Sequence, residues 1–180
     1  MNILVTGAAG FIGANLIKEI FRRFDHPVVV GIDNMNDYYD PSLKEARLEE
    51  LSSYEDFIFI KGNIADKVLV NGVFEQYKPR IVVNMAAQAG VRYSIINPDA
   101  YIEANLIGFY NILEACRHSY DRYEGGVNHL VFASSSSVYG ANKKVPYSTD
   151  DKVDKPVSLY AATKMSNELM AHAYSKLYDI

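Results

Sequence analysis

An α/β fold built on an open, doubly wound parallel sheet is predicted by three observations. Short apolar runs alternate with helix-period segments along the whole chain, the first run feeds into a glycine-rich turn and a helix, and the second run ends in an acid. At 180 residues and 49% hydrophobic content the chain has room for one core. No repeat, linker or low-complexity tract divides it, so residues 1–180 read as one domain.

The elements follow in order. Asn2–Thr6 is an apolar strand, Gly7-Ala8-Ala9-Gly10-Phe11-Ile12-Gly13 the turn, and Asn15 to Phe21 a periodic helix. Val28–Ile32 is the second strand and closes on Asp33. Pro41 to Leu51 is a charged amphipathic helix, Phe57–Ile60 the third strand, Ala65 to Tyr77 a helix, and Ile81–Val83 the fourth strand. A long helix from Ala100 to Arg117 leads past Glu124-Gly125-Gly126 to the fifth strand, His129–Ala133, and the run Ser134-Ser135-Ser136-Ser137. Pro156 near its start marks a last helix, Leu159 to Tyr178. Ligands of such sheets bind at the carboxyl ends of the strands, which predicts that Gly7, Asp33, Asn63, Ala86 and Ser135 converge on one edge.

Strand, glycine turn and helix in succession form a pyrophosphate site. The glycines admit close backbone approach, and the N–H groups and dipole at the helix start attract negative charge. The same glycines could serve helix–sheet packing alone. Asp33, 20 residues beyond Gly13, favours the dinucleotide reading, because an acid there accepts from the adenosine ribose hydroxyls. It would repel a 2′-phosphate, which points to NAD over NADP.

Composition excludes several classes. A net charge of −4 and a pI near 5.5 leave no footprint for nucleic acid. There is no membrane-length apolar stretch and no basic leader after Met1, so a cytoplasmic protein is expected. The single cysteine, Cys116, excludes an internal disulfide and reads as a packed thiol. His26, His118, His129 and His172 are scattered without metal-ligand spacing, so no metal is expected.

Tyr160-Ala-Ala-Thr-Lys164 pairs a phenol with an ammonium one helical turn apart. A free tyrosine, with a pKa of about 10, is a poor base at neutral pH unless a positive charge favours the phenolate. Tyr139 and Lys143 share that spacing, but Gly140 and Asn142 between them argue for a loop. The Tyr160 copy lies in a helix former and can act as a unit, although a solvated surface pair has the same spacing. The serine run, likewise, could be no more than a strand end with exposed hydroxyls.

Gly7 to Gly13, Gly31-Ile32-Asp33-Asn34-Met35-Asn36-Asp37-Tyr38-Tyr39-Asp40-Pro41, Ala86-Ala87-Gln88-Ala89-Gly90-Val91-Arg92-Tyr93-Ser94, Asn105-Leu106-Ile107-Gly108, the serine run and Tyr160 to Lys164 together resemble the NAD-dependent epimerase/dehydratase family of extended short-chain dehydrogenases/reductases, and within it the UDP-glucuronate 4-epimerases. The resemblance implies a Rossmann-like NAD-binding domain. It assigns the cofactor to Gly7, Gly10, Phe11, Ile12, Gly13, Asp33, Asn34, Asn63, Ile64, Ala86, Ala87, Gln88, Asn105, Tyr160 and Lys164. Tyr160, Lys164 and Ser135 would be catalytic, with Arg92, Ser135, Ser136, Ser137 and Tyr160 against a UDP-sugar. The implied reaction removes the 4′-hydroxyl proton and the C4′ hydride, then returns the hydride to the opposite face of a 4-keto sugar.

Two residues depart from the family pattern: Asn63 replaces an Asp near the adenine, and Asn84 replaces a His. Asn63 can still accept from and donate to adenine. Dehydratases of the family carry Asp-Glu where Ser136-Ser137 stand, which favours epimerase, while a keto-sugar reductase stays open. The resemblance also implies an N-terminal piece, ending before a sixth strand and lacking the C-terminal substrate-binding domain. An NAD-binding module without turnover is the alternative. Helices 100–117 and 159–178 would pair a homodimer.

Overall fold

The computed structural model describes residues 1–180. Five parallel strands, β1 (Asn2–Thr6), β2 (Val28–Asp33), β3 (Phe57–Lys61), β4 (Ile81–Asn84) and β5 (His129–Phe132), form one sheet in the order β3-β2-β1-β4-β5. Ile3 stands opposite Val29 on one side and Ile81 on the other. The chain reverses its direction of travel at β1, so a crevice opens between the carboxyl ends of β1 and β4.

Both sheet faces are covered. Leu4, Val30, Ile32 and Val82 pack on α3 (Lys67–Tyr77) and α6 (Phe109–Arg122) through Phe74, Ile112 and Cys116. Ile3, Val5, Val29 and Val83 pack on α1 (Phe11–Arg23) and α2 (Ser42–Leu51) through Ile17, Ile20 and Leu51. Burial on both faces is why the strands read as continuous apolar runs and not as alternation. Cys116 is fully buried and burial pushes its thiol pKa up, as expected of a packed thiol.

Helix boundaries follow local chemistry. α3 starts at Lys67, two residues after the predicted Ala65, because the Asp66 carboxylate accepts from the N–H groups of Val68 and Leu69. α1 begins at Phe11, ahead of the first periodic residue, since the glycine turn delivers the chain directly into it. The helix predicted over 100–117 is composite: α5 (Pro98–Tyr101), a π-helical stretch Ile102–Gly108, and α6, which runs on to Arg122. Two short helices, α4 (Tyr93–Ile96) and a 3₁₀ turn Ser136–Tyr139, are too brief to show a period in the sequence. α7 spans Leu159–Tyr178, capped by Ser158, whose hydroxyl accepts from Ala161 N–H. Along the two helical segments expected to pair a homodimer, Leu113 is buried whereas Ile107, Leu169 and Ala173 are exposed.

Candidate active site

The glycine turn is built for a close neighbour. Gly7 has φ +69°, and a Cβ there would lie 2.8 Å from the Ala86 nitrogen. A Cβ on Gly13 would lie 2.2 Å from the Gly7 carbonyl oxygen, so the helix can approach the turn only without a side chain. No side chain caps α1, which leaves its first-turn N–H groups available to an anion. Phe11 and Ile12 expose their side chains, so any part they play in holding phosphate falls to their backbone N–H groups. Behind the turn, Thr6 Oγ1 donates to Asn84 Oδ1 at 2.6 Å and accepts from Ala86 N–H at 3.1 Å. Asn84, the departure from the family's His, thus ties the ends of β1 and β4 together.

A cleft of about 380 Å³ runs along the strand ends. Gly7, Gly10, Asp33, Asn34, Asn63, Ile64, Ala86, Ala87 and Gln88 all line it. Asp33 is buried, and its carboxylate accepts from Ala9 N–H at 3.2 Å and Met35 N–H at 2.9 Å and pairs with Lys44 Nζ at 3.2 Å. Asn63 donates to Glu103 at 2.8 Å and accepts from Ala65 N–H at 3.0 Å, leaving one amide hydrogen and one lone pair for a ligand. Asn111 fixes that loop by donating to the Ile64 and Ala65 carbonyls. Gln88 is buried, and its Nε2 has no partner. An orphaned buried donor beside the glycine turn fits a polar ligand in the cleft.

Phe11, Ile12, Gly13, Arg92, Asn105, the serines, Tyr160 and Lys164 lie outside this cleft lining. Ser135 to Ser137 stand at the carboxyl end of β5, which joins β4 through the Ala133 N–H to Asn84 carbonyl bond. The Ser135 hydroxyl accepts from Ser137 N–H at 3.2 Å and lies 3.1 Å from the Ser137 hydroxyl, holding the 3₁₀ turn. Ser134 donates to the Glu168 carboxylate of α7, and α7 packs on the 3₁₀ turn. Tyr160 is half-buried at the start of α7, its ring meeting Tyr101 edge-on at 5.9 Å and 73°. Tyr101 in turn bonds the carbonyls of Ala89 and Gly90. Arg92 is exposed at the start of α4. Tyr139 ends the 3₁₀ turn and stacks on Tyr147, so it shares no helix with Lys143.

Lys164 is 4% exposed and donates to the Ala133 carbonyl at 2.9 Å. Burial lowers its pKa from 10.5 to about 8, which leaves the ammonium mostly charged at neutral pH. The folded chain therefore gives up this proton before the unfolded chain does. The desolvation cost is full below pH 8 and fades between pH 8 and 10.5, so this group makes stability rise across that window. Lys164→Met should remove the rise; the difference between wild-type and variant denaturant curves at several pH values measures it.

Asn105 proves to be a junction. It is buried in the π-helical stretch, its Oδ1 accepts from Gln88 N–H at 2.8 Å, and its Nδ2 donates to the Gln88 carbonyl and to Thr163 Oγ1 at 3.0 Å. Asn167 Nδ2 donates to the Asn105 carbonyl at 2.6 Å. Thr163 and Asn167 were not among the sequence candidates; their polar character on the inner face of α7 was the available signal. Asn105→Ala would strand several buried partners at about 1–3 kcal/mol each. A loss of about 2–4 kcal/mol in denaturant unfolding is expected.

The family model described as GDP-mannose 4,6 dehydratase matches residues 4–180. The chain is 52% identical over 180 residues to the protein CapI of Staphylococcus aureus, covering 100% of this chain and 51% of that one. It is 46% identical over 179 residues to UDP-glucuronate 4-epimerase 3 of Arabidopsis thaliana, covering 99% and 40%. The crystal structure of a Bacillus cereus UDP-glucuronic acid 4-epimerase in complex with UDP-glucuronic acid and NAD superposes with a TM-score of 0.87 at 32% identity, over 100% of this chain and 54% of that one. The chain spans about half the length of these relatives. No helix is long and apolar enough to cross a membrane, and no cluster of His, Cys, Asp and Glu could hold a metal.

Proposed function

Because the chain belongs to the NAD-dependent epimerase/dehydratase family described by the GDP-mannose 4,6 dehydratase model, we propose that the whole protein is a nucleotide-sugar 4-epimerase that interconverts UDP-glucuronate and UDP-galacturonate. The observation that carries this reading is the chemistry gathered beside β5: Tyr160, a buried Lys164 and the Ser135 hydroxyl, with serines and no carboxylate at positions 136 and 137. The acid–base pair that elimination of water needs is absent from that segment, which favours epimerase over dehydratase.

The glycine turn, the uncapped start of α1 and the orphaned Gln88 amide fit a dinucleotide, with Asp33 at the ribose and Asn63 at the adenine. Bound NAD supplies the acceptor and donor for the C4′ hydride. Tyr160 takes the proton of the 4′-hydroxyl as that bond opens and returns it when the ketone is reduced on the opposite face. Lys164 sets a positive charge one turn along α7, and its bond to the Ala133 carbonyl fixes the ammonium between helix and strand. The Ser135 hydroxyl turns from Ser137 to the same sugar oxygen. Ser136, Ser137 and Arg92 bind the substrate, and the edge contact with Tyr101 keeps the Tyr160 ring in place.

The exposed Ile107 of the π-helical stretch and Leu169 of α7 support a homodimer through the helical segments 100–117 and 159–178, and the buried Cys116 suits the cytoplasm. Sedimentation of the whole protein should give twice the monomer mass. Incubation with UDP-glucuronate, UDP-glucose and GDP-mannose tests the substrate. UDP-galacturonate from the first is the expected product; a 4-keto-6-deoxy sugar from either hexose, with UDP-glucuronate untouched, would replace this reading by a dehydratase.

A further inference from the structure

We infer that Lys44 is a latent anchor for a 2′-phosphate on the adenosine ribose, held in check by Asp33, so that these two residues together set the choice between NAD and NADP. The inference rests on the proposed dinucleotide site. Lys44 and Asp33 are 4% and 6% exposed, form one ion pair at 3.2 Å and both line the cleft. The ammonium also donates to Asn36 Oδ1 at 2.9 Å, and no second carboxylate pairs with it.

A second cation lies close by. Arg47 donates to the Ala9 carbonyl at 3.2 Å and to the Tyr39 hydroxyl at 3.1 Å, without a carboxylate partner. The Tyr39 ring lies under both cations, 5.3 Å from Lys44 Nζ and 5.8 Å from the Arg47 guanidinium. Lys44 and Arg47 thus place two fixed positive charges near the end of β2, where Asp33 is the buried carboxylate and the exposed Asp37 also lines the cleft.

A buried ion pair is a weak source of stability, since desolvating both charges consumes most of their attraction. Its consequence for ligands is larger. With Asp33 ionised, its second oxygen, which accepts only from Ala9 N–H, has room for a ribose hydroxyl, and its charge repels a 2′-phosphate. Without that carboxylate, Lys44 becomes an unpaired ammonium in a poorly solvated site, where an anion gains most. The sequence carries no sign of this, because Lys44 lies 11 residues beyond Asp33 in a helix that reads as a solvated charged face.

Calorimetric titration of NAD and NADP into the wild type, Asp33→Asn, Lys44→Met and the double variant tests the inference, with thermal melting to confirm folding. The wild type should prefer NAD. Asp33→Asn should weaken NAD and tighten NADP by about tenfold, equivalent to about 1.4 kcal/mol, with a gain that fades as salt rises. Asp33→Asn with Lys44→Met should lose the NADP gain. Should Asp33→Asn melt early, Asp33→Ser with and without Lys44→Met gives the same comparison. A wild type that binds NAD, combined with no NADP gain or a gain that survives removal of Lys44, overturns this inference alone. A wild type that binds neither dinucleotide overturns the proposed function together with it.

Discussion

Tyr160→Phe is expected to lower turnover of the whole protein by roughly 10²- to 10⁴-fold, the range for losing a positioned general base, with NAD affinity nearly unchanged. In the proposed mechanism the phenol oxygen is needed only as the 4′-hydroxyl gives up its proton, whereas dinucleotide affinity is assigned to the glycine turn, Asp33 and the strand-end loops. The ring stays braced against Tyr101, so the variant keeps its packing. Ser135→Ala should impair the same step, and the double variant should fall short of the product of the two losses. Tyr139→Phe is the internal control: its ring stacks on Tyr147 at 4.5 Å and shares no helix with Lys143, and little activity should be lost. Equal damage from Tyr139→Phe, or near-normal turnover by Tyr160→Phe, would remove Tyr160 from its role. Stopped-flow or steady-state assays with parallel NAD titration separate the outcomes.

Gly13→Ala should abolish dinucleotide binding and destabilise the fold. Its methyl would sit 2.2 Å from the Gly7 carbonyl oxygen and 2.9 Å from the carbonyl carbon, and backbone cannot rotate away as a side chain could. Overpacking of this kind costs about 1–3 kcal/mol or more, and any relief moves α1 off the turn proposed to hold the pyrophosphate. Gly72→Ala makes the opposite case. It lies exposed within α3 with nothing within 4 Å of the added atom, so stability should rise by about 0.5–1 kcal/mol. Thermal unfolding and NAD titration of the two variants give the comparison; equal behaviour would mean that close approach at Gly13 is unimportant.

The features legible in the sequence are those written locally. Gly7 to Gly13 encode the turn through spacing alone, the run Val28–Ile32 announces a doubly buried strand, and α7 begins and ends at the residues its pattern marks. The decoy Tyr139–Lys143 could be set aside because Gly140 breaks the helix within the pair. The rest depends on contacts that no window of residues contains. The π-helical stretch Ile102–Gly108 carries the same apolar pattern as an α-helix, and only the Gln88 backbone and the Thr163 and Asn167 side chains, all bonded to Asn105, mark it as a junction. Asn84 reads as an isolated departure until Thr6, 78 residues away, is found donating to it. The cleft also stops short of Tyr160 and Ser135; Tyr160 is joined to its rim through Tyr101, whose hydroxyl bonds the Ala89 and Gly90 carbonyls.

The most direct test of an epimerase that works by hydride removal and return at C4′ is the fate of a deuterium placed at that carbon of UDP-glucuronate. Mass and proton spectra of the product from the whole protein should show UDP-galacturonate with the label retained at C4′ and no net formation of NADH. Inversion with the deuterium lost to solvent, or a dehydrated or reduced sugar in place of the C4′ epimer, would contradict the mechanism assigned to Tyr160, Lys164 and Ser135.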